Sequence, residues 1–177
     1  MVPQDGPTAL KYLTATYDLA NSEKDDELLN TFCKEIMGVK DWMTGLKEGT
    51  ELWVYGHAGF QNLPGWEVID KYRVRGKKRS GDCLFDLYRY AVEEKRNIPV
   101  MLETPAVQLI QKDGQVVGAV ASNNGKNINI KVNKAVILTT GGYEFDPESL
   151  RTYAQGENYH ALGNPGNTGD GLRMAQS

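Results

Sequence analysis

The stretch KAVILTTGGYEFDPE, from Lys134 to Glu148, decides how this chain is read. Ala135 to Leu138 form a continuous apolar run, not an alternating one. A strand covered on both faces reads this way, as in a parallel sheet flanked by helices. Gly141 and Gly142 end the run, and Asp146-Pro147 then marks a helix start, with an N-cap followed by proline in the first turn. Strand, glycines and helix in that order predict an α/β arrangement. Ligands bind in such sheets beyond the carboxyl ends of the strands, and two glycines there let a backbone approach a ligand closely. The same pair serves equally as a tight turn after a core strand.

Upstream of this run the period is shorter. PAVQLI is extended, Asp113-Gly114 is a hairpin signal, VVGAVAS follows, and NNGKN makes a second turn. Ile128, Ile130 and Val132 then alternate strictly. The pattern predicts a three-stranded antiparallel meander. Before it, a helix is expected from Ser80 as N-cap to about Asn97, burying Leu84, Leu87, Tyr88, Ala91 and Val92.

An earlier helix is expected from Ser22 to Met43, capped by Ser22, with Leu28, Phe32, Ile36, Val39 and Met43 on its apolar face. Between the helices, residues 45–79 form an irregular excursion rich in glycine and aromatics, with two strand-like pieces, ELWVY and WEVIDKYRV. Long irregular stretches inside compact domains are often functional. Tyr55 and His57 lie here within reach of a substrate, although packing accounts for them as well. Downstream, in GNTGDG, Thr168 or Asn167 is expected to cap a helix that places Asp170 in its first turn, where the dipole favours a carboxylate.

The 177 residues fit one domain, 1–177. With 20 Lys and Arg against 23 Asp and Glu, the net charge is −3, which argues against a nucleic-acid surface. The basic run YRVRGKKR, Tyr72 to Arg79, reads as a solvated loop. Cys33 and Cys83 read as buried free thiols, so no disulfide framework is implied, which leans to a reducing compartment. Two histidines, His57 and His160, give no metal-ligand cluster. No apolar run is long enough for a membrane span, and the first residues lack the pattern of a signal peptide. GxSxG, HExxH, P-loop and GxGxxG motifs are all absent.

Four segments in order resemble the flavoprotein family of fumarate reductases, succinate dehydrogenase flavoprotein subunits, L-aspartate oxidases and 3-ketosteroid dehydrogenases. SGDCLFDLYRYAVEEKRNIPV is similar to the family's G…L…L…A…GV helix, and ETPAVQLIQKDGQVVGAVA to TxVxxLIxxDGxVxGV. KAVILTTGGYEFDPE is similar to KAVILATGGFxxN, and GNTGDGLRMA to xxTGDGIxMA. The match runs from Ser80 to Ala175. The front helix, with DELLNTFCKEIMGVKDWMTGL, fits more loosely.

The resemblance implies a partial FAD-binding, Rossmann-like α/β layer carrying the meander. It implies FAD as cofactor and hydride transfer between the flavin and a carbon next to a carbonyl or carboxylate. It places the backbone at Val107 against the adenine. Thr140, Gly141 and Gly142 come to lie against the ADP half, and Asp170 at a flavin-binding position. Thr139 stands where the family has alanine.

The family's GxGxxG and ribose-binding acid have no counterpart here, nor do its substrate histidine and arginine proton donor. The chain is therefore expected to be an internal fragment, inactive in isolation, with weak or no FAD binding. Residues 160–177 are expected to begin the connection to a capping domain. Its catalytic side chains are expected elsewhere, and its strand edges are expected to self-associate. The alternative is a non-enzymatic α/β module acting through partner binding.

Overall fold

The computed structural model describes residues 2–57, 59–154 and 160–177. The chain divides into two compact units, Met1–Val100 and Met101–Ser177.

In the first unit, β1 (Val2–Pro3) leads into α1 (Gly6–Leu19). The Asp5 carboxylate caps α1 by accepting from the Thr8 amide, and Pro7 sits in the first turn. Ala9 and Tyr12 are its buried residues. The Tyr12 hydroxyl accepts from the Phe60 amide at 2.9 Å, which ties the later loop to the helix.

The single helix expected over Ser22–Met43 is two. Asp25, not Ser22, is the cap, accepting from Leu28 N at 2.9 Å and opening α2 (Asp26–Ile36). Asp26 and Glu27 in the first turn and Lys34 in the last oppose the dipole correctly. Helix α3 (Val39–Thr44) starts anew after Gly38. With the helix interrupted, the expected apolar face is not shared. Leu29 and Cys33 are buried, while Leu28 is 64% and Phe32 50% exposed.

The two strand-like pieces form β2 (Leu52–His57) and β3 (Ile69–Val74), the latter preceded by a 3-10 turn, Trp66–Val68. They pair antiparallel from Leu52↔Val74 to His57↔Asp70, with a bulge at Tyr55. β1 adds to the other side of β3, giving the order β1-β3-β2. Tyr72 to Val74 of the basic run therefore belong to a strand and not to a solvated loop. In the rest of the run, Arg75 meets Glu51 at 3.2 Å, Lys78 meets Asp86 at 2.6 Å and Arg79 meets Asp82 at 3.3 Å.

Helix α4 (Ser80–Arg89) takes Arg79 as its N-cap residue and continues into a π-helical turn, Tyr90–Glu94. It packs on β3. Leu87 and Ala91 join Leu46 and Val74 in a buried cluster, with Cys83 and Leu84 partly buried against it. Thus Cys33 is buried as expected and Cys83 only in part.

In the second unit, β4 (Ala106–Lys112), β5 (Gln115–Asn123) and β6 (Lys126–Lys131) form the expected meander, in the order β4-β5-β6. Both turns have two residues with positive φ. These are Asp113 at 52° and Gly114 at 74°, then Asn124 at 49° and Gly125 at 75°. That geometry matches the right-handed twist of a hairpin.

The expected buried strand at Ala135–Leu138 is absent. These residues pair with no described strand, and Ile137 is 83% exposed. A continuous apolar run is stable as a strand only where neighbours satisfy its backbone and cover both faces. Helix α5 (Pro147–Tyr153) starts as expected, with Asp146 accepting from the Ser149 amide. Helix α6 (Asp170–Gln176) closes the described chain. Among the described residues, no helix is long and apolar enough to cross a membrane.

Candidate cofactor-binding site

The glycine turn and the start of α6 are held together by short-range chemistry. Gly169 N donates to Gly142 O at 3.0 Å, and Phe145 N donates to Asn167 O at 3.1 Å. The Asn167 amide donates to Glu144 Oε1 at 2.5 Å. That bond is the main reason the Glu144 carboxyl is held below its ordinary range.

Gly141 has φ 76°, and a Cβ there would lie 2.1 Å from Asn167 Oδ1. The glycine is thus required both by backbone conformation and by the asparagine lying over it. A Cβ on Gly171 would lie 2.1 Å from Thr140 Oγ1. Thr140, Gly141, Gly142 and Asp170 are therefore brought together. Val107 is on β4, the strand beside α6. It is the extra residue of a bulge between Ala106 and Gln108, with half its surface exposed. Bulge residues leave the ladder locally unpaired.

Asp170 is not preceded by a side-chain cap. Gly169, buried and with φ 79°, is the N-cap residue, so neither Thr168 nor Asn167 fills that place. Apart from Asn and Asp, residues with a Cβ take this left-handed geometry only at a cost. Asp170 Oδ1 accepts from Arg173 at 2.7 Å and from Thr168 Oγ1 at 3.3 Å. Arg173 also donates to Thr168 O at 2.7 Å and to Asp146 at 3.0 Å, joining the starts of α5 and α6. The Asp146 carboxyl is held below its ordinary range, chiefly by the Ser149 hydroxyl and to a lesser extent by Arg173.

Sequence reasoning did not single out Arg173 or Glu144. The spacing of Asp170 and Arg173, three apart at a helix start, was a readable pairing signal. Glu144 gains its role only through Asn167, 23 residues away, and no local pattern announces that.

The surface this builds is mostly backbone. Thr139 to Gly142 are exposed. Among the described residues, the amides of Thr140, Gly141 and Gly142 donate no backbone hydrogen bond. Three unused N–H groups in a turn form a donor surface for polar ligand atoms, and Asp170 supplies an acceptor beside it. A cleft of about 460 Å³ opens next to Gly142, between Tyr143, Tyr153 and His160. Exposed amides, a carboxylate and a bulged strand are groups suited to a dinucleotide.

Comparison with known proteins agrees with that chemistry. Residues 10–177 match the family described as FAD binding domain. The chain belongs to this family. FAD is therefore the cofactor of its fold. A probable fumarate reductase of Shewanella frigidimarina is 32% identical over 114 residues, which cover 63% of this chain and 19% of that protein. The chain thus corresponds to a small part of that relative.

Among solved structures, the open conformation of a flavocytochrome c3 fumarate reductase aligns with TM-score 0.76 and 24% identity. The alignment covers 99% of this chain and 29% of that one. A 3-ketosteroid-delta4-(5alpha)-dehydrogenase from Rhodococcus jostii aligns with TM-score 0.69 and 18% identity, over 97% of this chain and 40% of that one. At these identities the two structures establish the fold. That fold is a mixed helix and strand part of an FAD-binding domain, with antiparallel sheets.

Proposed function

We propose that this chain is the part of a flavin-dependent oxidoreductase that holds the ADP portion of FAD. The observation that carries the reading is the exposed turn whose Thr140, Gly141 and Gly142 amides have no backbone partner. These amides would donate to polar atoms of the cofactor, the Asp170 carboxylate would accept from its hydroxyls, and the Val107 backbone would meet the adenine. Bound FAD supplies hydride acceptance and donation, at a carbon next to a carbonyl or carboxylate of the substrate.

The protein's share here is orientation. Asn167 fixes the turn through Gly141 and Glu144, and Arg173 fixes Asp170. Ala135–Leu138 would become a strand of a parallel sheet once neighbouring strands flank it. Alone, the chain is inactive and self-associates through its exposed strand edges and the uncovered apolar run in which Ile137 is 83% exposed. An Ile137→Lys variant that lowers the mass seen by light scattering would support that association. A strictly monomeric unsubstituted chain would exclude it.

The cofactor reading is tested by amide NMR of the chain with millimolar ADP. The amides of Val107, Thr140, Gly141 and Gly142 should shift together, and Gly141→Val should abolish the effect. Shifts confined to other surfaces would refute the assignment. Flavin fluorescence should show no saturable micromolar binding of intact FAD, because only part of the cofactor has a seat on these residues.

A further inference from the structure

The first unit contains a buried carboxylate that nothing above uses. Asp70 on β3 has a side chain only 3% exposed. Its Oδ2 accepts from the Gln4 amide at 2.9 Å and from the Tyr72 hydroxyl at 3.3 Å. Burial first, and the Asp70 charge second, push the Tyr72 phenol up, which keeps it a donor. Oδ1 is fully buried and has no well-aligned hydrogen bond. One donor is within reach among the described residues. His57 is the cross-strand partner of Asp70, and its Nδ1 lies 3.1 Å from Oδ1. A buried carboxylate oxygen without a donor is costly. A small rotation of the ring brings Nδ1–H onto it and removes that cost. The nitrogen that carries the proton is set in this way by the hydrogen bond it makes.

The other nitrogen, Nε2, then keeps its lone pair on a ring that is 45% exposed. Trp66 meets the imidazole edge-on, with ring centroids 5.6 Å apart. Gly59 runs against Trp66 so closely that a Cβ would lie 2.7 Å from the Trp66 Cβ, and Phe60 follows it, largely exposed.

We propose that His57, oriented by Asp70, is a proton-accepting site for a ligand that joins a hydroxyl donor to an apolar ring. In this arrangement Nε2 takes the hydroxyl hydrogen bond and Asp70 acts as a positioning residue. The site lies within the first unit and does not depend on the flavin reading.

The test is 15N NMR of the two histidines above neutral pH, with His160→Gln used for assignment and phenol as the probe. His57 should be protonated at Nδ1 and pyridine-like at Nε2, the reverse of the form that dominates in free histidine. Phenol should shift Nε2 of His57 and leave His160 unmoved. Asp70→Asn should return His57 to the ordinary tautomer mixture, which a purely structural role for Asp70 would not require. If that variant does not fold, the tautomer of the unsubstituted chain decides alone. Proton on Nε2, an unchanged tautomer in a folded Asp70→Asn chain, or equal phenol shifts at both histidines would each overturn the proposal.

Discussion

Gly171 and Thr140 occupy adjoining space so closely that a single methyl group on the glycine would lie 2.1 Å from the threonine hydroxyl. The contact joins α6 to the glycine turn, and both carry candidate cofactor residues. Gly171→Ala should therefore push the two apart, although alanine favours a helix. Overpacking of this kind costs about 1–3 kcal/mol. Urea unfolding should show a lower midpoint. The double variant Gly171→Ala with Thr140→Ser should not recover it fully, because the clashing hydroxyl remains.

Acid should loosen the same region. The folded-state carboxyl of Asp146 is depressed, chiefly by the Ser149 hydroxyl. A depressed carboxyl stabilises the fold above its unfolded value and loses that contribution as pH falls through the folded one. The loss therefore falls below the ordinary aspartate value of 3.8. Amide exchange at Ser149 and Arg173 should quicken in that window for the parent chain. In Asp146→Asn the same exchange should be fast already at neutral pH and change little on acidification.

In the first unit, Tyr12→Phe removes the hydroxyl that accepts from the Phe60 amide. The ring stays and the buried volume hardly changes, so the effect isolates one hydrogen bond. A loss of about 1 kcal/mol is expected by thermal or denaturant unfolding. A loss near zero would mean that water replaces the hydroxyl.

Local chemistry was the legible part of this fold. Asp113-Gly114 and Asn124-Gly125 specify their turns by themselves, because both residues of each pair tolerate positive φ, and the meander follows from them. Asp146-Pro147 likewise sets the start of α5. Helix α1 was overlooked even though Asp5 and Pro7 mark its start, since only Ala9 and Tyr12 are buried on it and its periodicity is faint. Ser22 and Asp25 are both good caps, and the choice falls to the residue that opens the stretch packed on α1. Ala135–Leu138 shows the opposite limit. Its apolar character was plain, but a strand is a relation between segments and cannot be read from one of them. The candidate site divides in the same way. Thr140, Gly141, Gly142 and Asp170 carried a family pattern, and the Asp170–Arg173 spacing was local, whereas the Asn167–Glu144 and Arg173–Asp146 contacts that help hold them are long-range.

The pairings of the two sheets differ in how far apart their members lie along the chain, and that difference becomes an order in time. In the meander, Lys112 meets Gln115 and Asn123 meets Lys126 across two-residue turns. Such hairpins zip in roughly 1–10 μs. The first sheet is complete only when Val2 reaches Asp70, close to seventy residues along the chain, and distant contacts of that kind close slowly. The Met101–Ser177 unit should thus acquire protected amides first, as pulse-labelled hydrogen exchange can record. The opening residues would be the last to find their place.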